Sequence, residues 1–223
     1  MNRVDEQVTV TKEVILSLPS AVLAGELQLP AAARGLVLFA HNSGQGRYNP
    51  HQQLVAQIIR RAGIGTLLLD LLTSAEDAID QQTHHLRFDI ALLARRLLAA
   101  TGWIRTQPET AHLRVGYFGI STGAGAALLA AAELDNEIGA VISRSGRPDL
   151  AGAALAQVTS PTLLVVGEAD SAILQLNREA LAQLRCVKEL LVVPGANHFF
   201  EEPDQLTEVA QLAVDWCLRF LCT

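Results

Sequence analysis

The sequence predicts an α/β fold: a mostly parallel, eight-stranded sheet with helices on both faces and an antiparallel hairpin at its N-terminal end. Three observations carry this expectation. Short, almost wholly apolar runs recur along the chain, as in parallel strands buried on both faces. Longer stretches with helical periodicity separate them, the alternation that builds βαβ units. The chain has 223 residues, half of them hydrophobic and 18% charged. That is the composition of a packed globule, at a length one domain can take.

In order, "VTVTKEVILSL" and "AVLAGELQL" read as two strands around a turn at Pro19, Ser20 and Ala21. Six apolar runs follow: "GLVLFA" from Gly35, "GTLLLDL" from Gly65, "RVGYFGI" from Arg114, "GAVISR" from Gly139, "TLLVVGE" from Thr162 and "KELLVVP" from Lys188. Between them, "HHLRFDIALLARRLLAATGWI" places Leu86, Ile90, Leu93, Leu97 and Leu98 close to one helical face. An amphipathic helix, "LTEVAQLAVDWCLRFL", comes last. No repeat, linker or long insertion interrupts the pattern, so residues 1–223 are expected to form a single domain without a large cap.

Several functional classes are disfavoured. The formal net charge is -6 and Lys and Arg are nowhere clustered, which argues against a nucleic-acid or anionic membrane partner. No apolar run is long enough to span a bilayer, and "MNRVDEQVTVTKEV" lacks the apolar centre of a signal peptide. Cys186, Cys217 and Cys222 are odd in number and lack metal spacing, so free thiols in a cytoplasmic protein are expected. His84 and His85 are adjacent and point apart on a helix, and neither a paired-ligand motif nor a phosphate-cradling loop is present. No metal and no cofactor are expected.

The stretch "RVGYFGISTGAGAALLAAAEL" carries the chemistry. A buried strand turns directly into a helix, with Ser121 at the seam and Gly119 and Gly123 two places to either side. Strand and helix backbones approach closely at such a turn, so its neighbours must be small. The side chain at the apex then stands above the C-terminal ends of the strands, where open α/β sheets bind ligands. This is the strand–Gly-x-Ser-x-Gly–helix nucleophile elbow. The competing reading makes Ser121 an ordinary helix N-cap.

A serine hydroxyl needs a general base, and the base an orienting acid, in the chain order Ser, acid, His. Asp170 follows "TLLVVGE" and His198 follows "KELLVVPG", both just past strand ends. Glu168 and Asp149 compete for the acid role, although Asp149 better fits the start of the helix "LAGAALAQV". Asp170 has a rival role as the N-cap of "SAILQLNREAL", and His198 as a loop or core histidine. Two oxyanion donors are needed: the backbone N–H of Thr122, and an N–H of Asn42 or Ser43 in "AHNSGQGRYNP".

The blocks "FAHNSGQGRYNP", "LLDLLTSAED", "GYFGISTGAGAALLAA", "SRSGRPDLA", "PTLLVVGEADSAILQLNREA" and "PGANHFFEEP" together resemble, in order, the α/β-hydrolases of the dienelactone hydrolase-like family. The resemblance covers nearly the whole chain after the hairpin. It implies Ser121, Asp170 and His198 as a triad and favours Asp170 over Glu168. Dienelactone hydrolases proper carry a cysteine nucleophile, where this elbow carries serine. Many hydrolases have His-Gly in the oxyanion loop, where this chain has His41-Asn42.

Arg47, Arg144 and Arg147 lie at the same edge and are candidate substrate contacts, since guanidinium donors suit a carboxylate. The structural alternative, loop ties to Glu76 or Asp149, is favoured over it. The resulting expectation is a serine esterase, a carboxylic-ester hydrolase that cleaves an ester, thioester or lactone of a small molecule through an acyl-enzyme. Alternatives are a non-catalytic binding or scaffolding protein on this fold, or an acyltransferase using the same triad.

Overall fold

The apolar runs become β1 (Val8–Leu18), β2 (Ala21–Pro30), β3 (Leu36–His41), β4 (Gly65–Asp70), β5 (Val115–Ile120), β6 (Ile138–Arg144), β7 (Thr162–Gly167) and β8 (Lys188–Val193). The computed structural model describes residues 8–41 and 46–222. The strands form one sheet in the order β1-β2-β4-β3-β5-β6-β7-β8. β1 and β2 make an antiparallel hairpin, β2 adds antiparallel to β4, and every pairing from β4 through β3 to β8 is parallel. The predicted eight-stranded, mostly parallel sheet is the one observed.

The helices are α1 (Pro50–Arg61), α2 (Ser74–Thr83), α3 (Ile90–Thr106), α4 (Thr122–Leu134), α5 (Ser171–Gln183) and α6 (Pro203–Phe220). Successive strand residues point to opposite faces, and the sheet is apolar on both. From β3, Leu36, Leu38 and Ala40 join a core with residues of α3 and α4. Val37 and Phe39 join a second core with residues of α1 and α6. Phe39 stacks on Phe118 of β5 with ring centroids 4.9 Å apart. Tyr117 on the other face is fully buried because its hydroxyl is satisfied by Thr101 at 2.6 Å.

Helix starts follow the local chemistry. Asn49 accepts from the His51 N–H before Pro50 opens α1. Thr73 and Glu76 form a reciprocal capping box on α2. Glu76 is also held by Arg96, at 2.7 Å to each carboxylate oxygen. Those hydrogen bonds keep its carboxyl near 2, well below its ordinary 4.5.

Three expectations need correction. β8 is not buried on both faces: it is the last strand of the sheet, and only Val193 is buried. The helix expected to begin near His84 begins at Ile90, because the Asp89 carboxylate caps it by accepting from Leu92 N–H. His84 instead ends α2 in a left-handed conformation, Leu86 sits in a 3-10 turn, and Leu98 is half-buried. The stretch after Asp149 is a 3-10 segment, Pro148–Gln157, broken at Gly152, with no side-chain cap at its start. Among the described residues, no helix is long and apolar enough to cross a membrane.

Candidate active site

The C-terminal ends of β5, β6, β7 and β8, neighbours in the sheet, carry the site. Ser121 lies between β5 and α4 with φ 52° and ψ -124°, and its side chain makes no cap hydrogen bond to the helix. The N-cap reading of Ser121 fails on that point, since its hydroxyl is not spent on the helix start. The backbone is pinned on both sides. Its N–H donates to Arg144 O (3.3 Å), and its carbonyl accepts from Ala124 N–H (3.1 Å) and Arg147 N–H (2.9 Å).

The flanking glycines are required by close approach. A Cβ on Gly119 would sit 2.4 Å from Ala124 Cα, and one on Gly123 would sit 2.1 Å from Ala40 O. Both obstacles are backbone, which cannot rotate aside. The small residues of the elbow therefore let α4 run hard against β3 and β5, with Ser121 at its N-terminus. There the helix dipole favours negative charge.

Asp170 occupies the N-cap position of α5 but makes no side-chain cap bond. Its Oδ2 lies 2.6 Å from His198 Nδ1. Against a carboxylate that nitrogen is the donor, and in a neutral imidazole this tautomer leaves Nε2 as the acceptor, able to act as a base. The carboxylate side chain is 15% exposed and the imidazole 32%. Glu168, the competing acid, accepts instead from Gly195 N–H at 2.9 Å and ties the β8 loop to β7. Asp149 is paired with Arg147. Of the three candidate acids, only Asp170 meets the histidine.

His198 is neither a core histidine nor a cap, since α6 starts after Glu202. It sits in a loop that Asn197 shapes by accepting from the Phe199 and Phe200 N–H groups at 3.0 and 3.1 Å. The exposed Phe199 ring packs edge-on against the imidazole, centroids 5.1 Å apart. The His198 carbonyl accepts a hydrogen bond from Ser145 Oγ at 2.8 Å.

Thr122, the expected oxyanion donor on the elbow, is buried as the first residue of α4. Asn42 and Ser43 lie outside the described residues. What borders that segment is clear. The Asp70 carboxylate accepts from Arg47 N–H at 2.9 Å and lies 3.2 Å from His41 Nε2, so it ties both His41 and Arg47 to the end of β4.

The arginines separate by partner. Arg47 is committed to the Asp70 carboxylate and to Tyr48 Oη. Arg147 grips Asp149 at 2.9 and 2.7 Å, and those hydrogen bonds raise its pKa. The structural alternative thus holds for Arg147, whereas Glu76 turns out to serve Arg96. Arg144 is different. It is 7% exposed, its guanidinium lies 5.9 Å over the Phe200 ring, and its Nε and Nη1 have no hydrogen-bond partner among the described residues. Burial lowers its pKa to about 10. Asp70 and Ser145 were not singled out from sequence. The available signal was a polar residue at the end of an apolar strand, in "LLLDLL" and "ISRSG".

The model of the dienelactone hydrolase family matches residues 27–221. The crystal structure of a dienelactone hydrolase from Anabaena variabilis ATCC 29413 is 52% identical, with a TM-score of 0.92 over 96% of this chain and 99% of that one. Est1E from Butyrivibrio proteoclasticus, at 16% identity and TM-score 0.75 over 93% of this chain and 98% of its own, shares the fold. A Mycobacterium tuberculosis protein, Rv0571c, provisionally named a phosphoribosyl transferase, is 52% identical over 200 residues. That match takes in 90% of this chain and 44% of the relative, so the chain spans less than half the length of the curated relatives it matches. Elbow, sheet order and family match coincide over the same residues: the chain belongs to the dienelactone hydrolase family, within the α/β-hydrolases.

Proposed function

We propose that the protein is a serine hydrolase that cleaves an ester, thioester or lactone of a small molecule through Ser121, His198 and Asp170. The observation that carries the reading is the 2.6 Å contact between His198 Nδ1 and Asp170 Oδ2, at the same C-terminal edge of the sheet as a serine whose hydroxyl is not spent on its helix. With Nδ1 donating to the carboxylate, Nε2 takes the proton of the Ser121 hydroxyl as its oxygen attacks the substrate carbonyl. The Thr122 N–H, at the positive end of α4, and an N–H of Asn42 or Ser43 stabilise the tetrahedral oxyanion. The imidazolium, held by Asp170, then protonates the leaving oxygen or sulfur. Water, activated by the same imidazole, releases the acid and restores Ser121.

The transferase name belongs to a relative more than half of which lies outside the match. It therefore adds no step to this site. The test is a panel of activated esters, thioesters and lactones run on the parent and on Ser121→Ala, with a fluorophosphonate probe alongside. Ser121-dependent turnover and a covalent adduct on Ser121 are expected. Equal turnover by Ser121→Ala, or no adduct on folded protein, overturns the reading.

A further inference from the structure

Five non-glycine residues among those described have positive φ: His84, Ser121, Asp135, Ser145 and Phe200. His84 and Asp135 follow the last residues of α2 and α4. The other three belong to one place. Ser121 is the elbow, Ser145 follows the last residue of β6, and Phe200 is two residues past His198. Such conformations cost about 1–3 kcal/mol each and persist only where the surroundings over-determine them.

At Ser145 the determinants are visible. The residue is 1% exposed, its N–H donates to Val165 O at 2.9 Å, and its hydroxyl donates to His198 O at 2.8 Å. Arg144, one residue earlier, accepts from the Ser121 N–H and lies over Phe200. The end of β6 therefore reaches the nucleophile on one side and the histidine loop on the other. Asp170 orients the imidazole through its side chain. Ser145 holds the backbone from which that side chain hangs.

We infer that Ser145 is a positioning residue: its hydrogen bond to the His198 carbonyl sets the place of the imidazole relative to the Ser121 hydroxyl. The inference rests on the hydrolase reading and deepens it. The hydroxyl hydrogen is committed to a carbonyl, so Ser145 moves no proton in the reaction and acts only through His198.

The test separates position from stability. Ser145→Gly removes the hydroxyl while relieving the left-handed strain, and Ser145→Ala removes it while keeping that strain. Both are measured for kcat and KM on p-nitrophenyl acetate and for melting temperature. The Gly change is also made in a His198→Ala background. Both variants are expected to lose about tenfold in kcat, with KM within about twofold, although the Gly variant melts higher. In His198→Ala, Ser145→Gly is expected to change the residual rate by less than about twofold, because a residue acting through another adds nothing once that residue is gone. A parental kcat in Ser145→Gly overturns the inference. So does activity that follows melting temperature across the two variants, or an equal loss in the His198→Ala background. If Ser121→Ala is as active as the parent, the hydrolase reading has failed. A Ser121-dependent rate untouched by Ser145→Gly defeats this inference alone.

Discussion

Alanine at Gly123 and alanine at Gly102 are the same chemical change, and the structure gives them opposite signs. At Gly123 the new Cβ would lie 2.1 Å from Ala40 O and 2.9 Å from Ala40 C. A comfortable carbon–oxygen approach is about 3.3 Å, so α4 must retreat from β3 by about 1 Å. Overpacking of this kind costs about 1–3 kcal/mol, which in a chain of this size lowers the melting temperature by about 2–12 °C. The retreat also moves Ser121 and Thr122, at the N-terminal end of α4, relative to the end of β3. A displacement of about 1 Å at reacting groups is worth about a hundredfold in rate. At Gly102, inside α3, an added Cβ meets nothing within 4 Å. Alanine there removes the entropic weakness of a helical glycine and is expected to stabilise by about 0.5–1 kcal/mol, or about 1–4 °C. Melting followed by circular dichroism and kcat on p-nitrophenyl acetate read both. The expected pattern is a cooler, nearly inactive Gly123→Ala beside a warmer, fully active Gly102→Ala. A Gly123→Ala protein with parental melting and parental kcat refutes the close-approach argument for the elbow.

Three other outcomes follow from named contacts. Asp170→Asn keeps the shape of the acid but removes the charge that holds His198, and kcat is expected to fall by about 10⁴-fold with the fold intact; a loss under tenfold on an activated ester contradicts the triad. Arg144→Met keeps an unbranched stem and removes buried nitrogens that have no partner among the described residues, so chemical denaturation is expected to show a gain of about 1–3 kcal/mol. A measured loss of stability there means the guanidinium earns its place energetically through Phe200 or another contact. The Glu76 carboxyl, lowered to about 2 by its hydrogen bonds with Arg96, contributes stability that is present above its ordinary 4.5 and lost as pH falls towards 2. Allowing for its partial exposure, that contribution is about 1–2 kcal/mol. The stability gap between the parent and Glu76→Gln should therefore close between pH 5 and pH 2; a gap constant over that range shows that the charge is not what Arg96 holds.

Strand positions were legible because their signal is local. A run such as "TLLVVG" is almost wholly apolar and buried at every residue, a pattern that suits a short strand buried on both faces. The elbow was legible for the same reason, since the demand on Gly119 and Gly123 comes from residues within a few places along the chain or directly beneath it. β8 misled because composition reports what a residue tolerates, not what covers it. "KELLVV" would suit a central position, but it forms the final strand and half of it faces outward. The start of α3 was misplaced because two local signals competed, and the Asp89 cap overrode the apolar periodicity that ran back to Leu86.

Pairings across the site could not be read in advance, and they decide what the site is. Asp170 and Glu168 are two residues apart, and the order rule admits either. One turn of backbone after β7 sends the Glu168 side chain to Gly195 N–H and the Asp170 side chain to His198. The arginines show the same limit. Arg47 and Arg147 are neutralised by Asp70 and Asp149, partners fixed by where strands end rather than by spacing. Arg144, one residue from Ser145 and with its carbonyl on the Ser121 N–H, has no carboxylate partner among the described residues. Ser145 itself joins His198 from 53 residues away. A contact of that separation leaves no periodicity and no motif. Its trace in the chain is indirect: a serine forced to positive φ at the end of a buried strand, in a protein that places two of its other strained residues, Ser121 and Phe200, at the same rim. Strain concentrated where three strand ends exchange hydrogen bonds is what a preorganised site requires, because only a backbone held from several sides can keep side chains from separate strands in fixed relative positions.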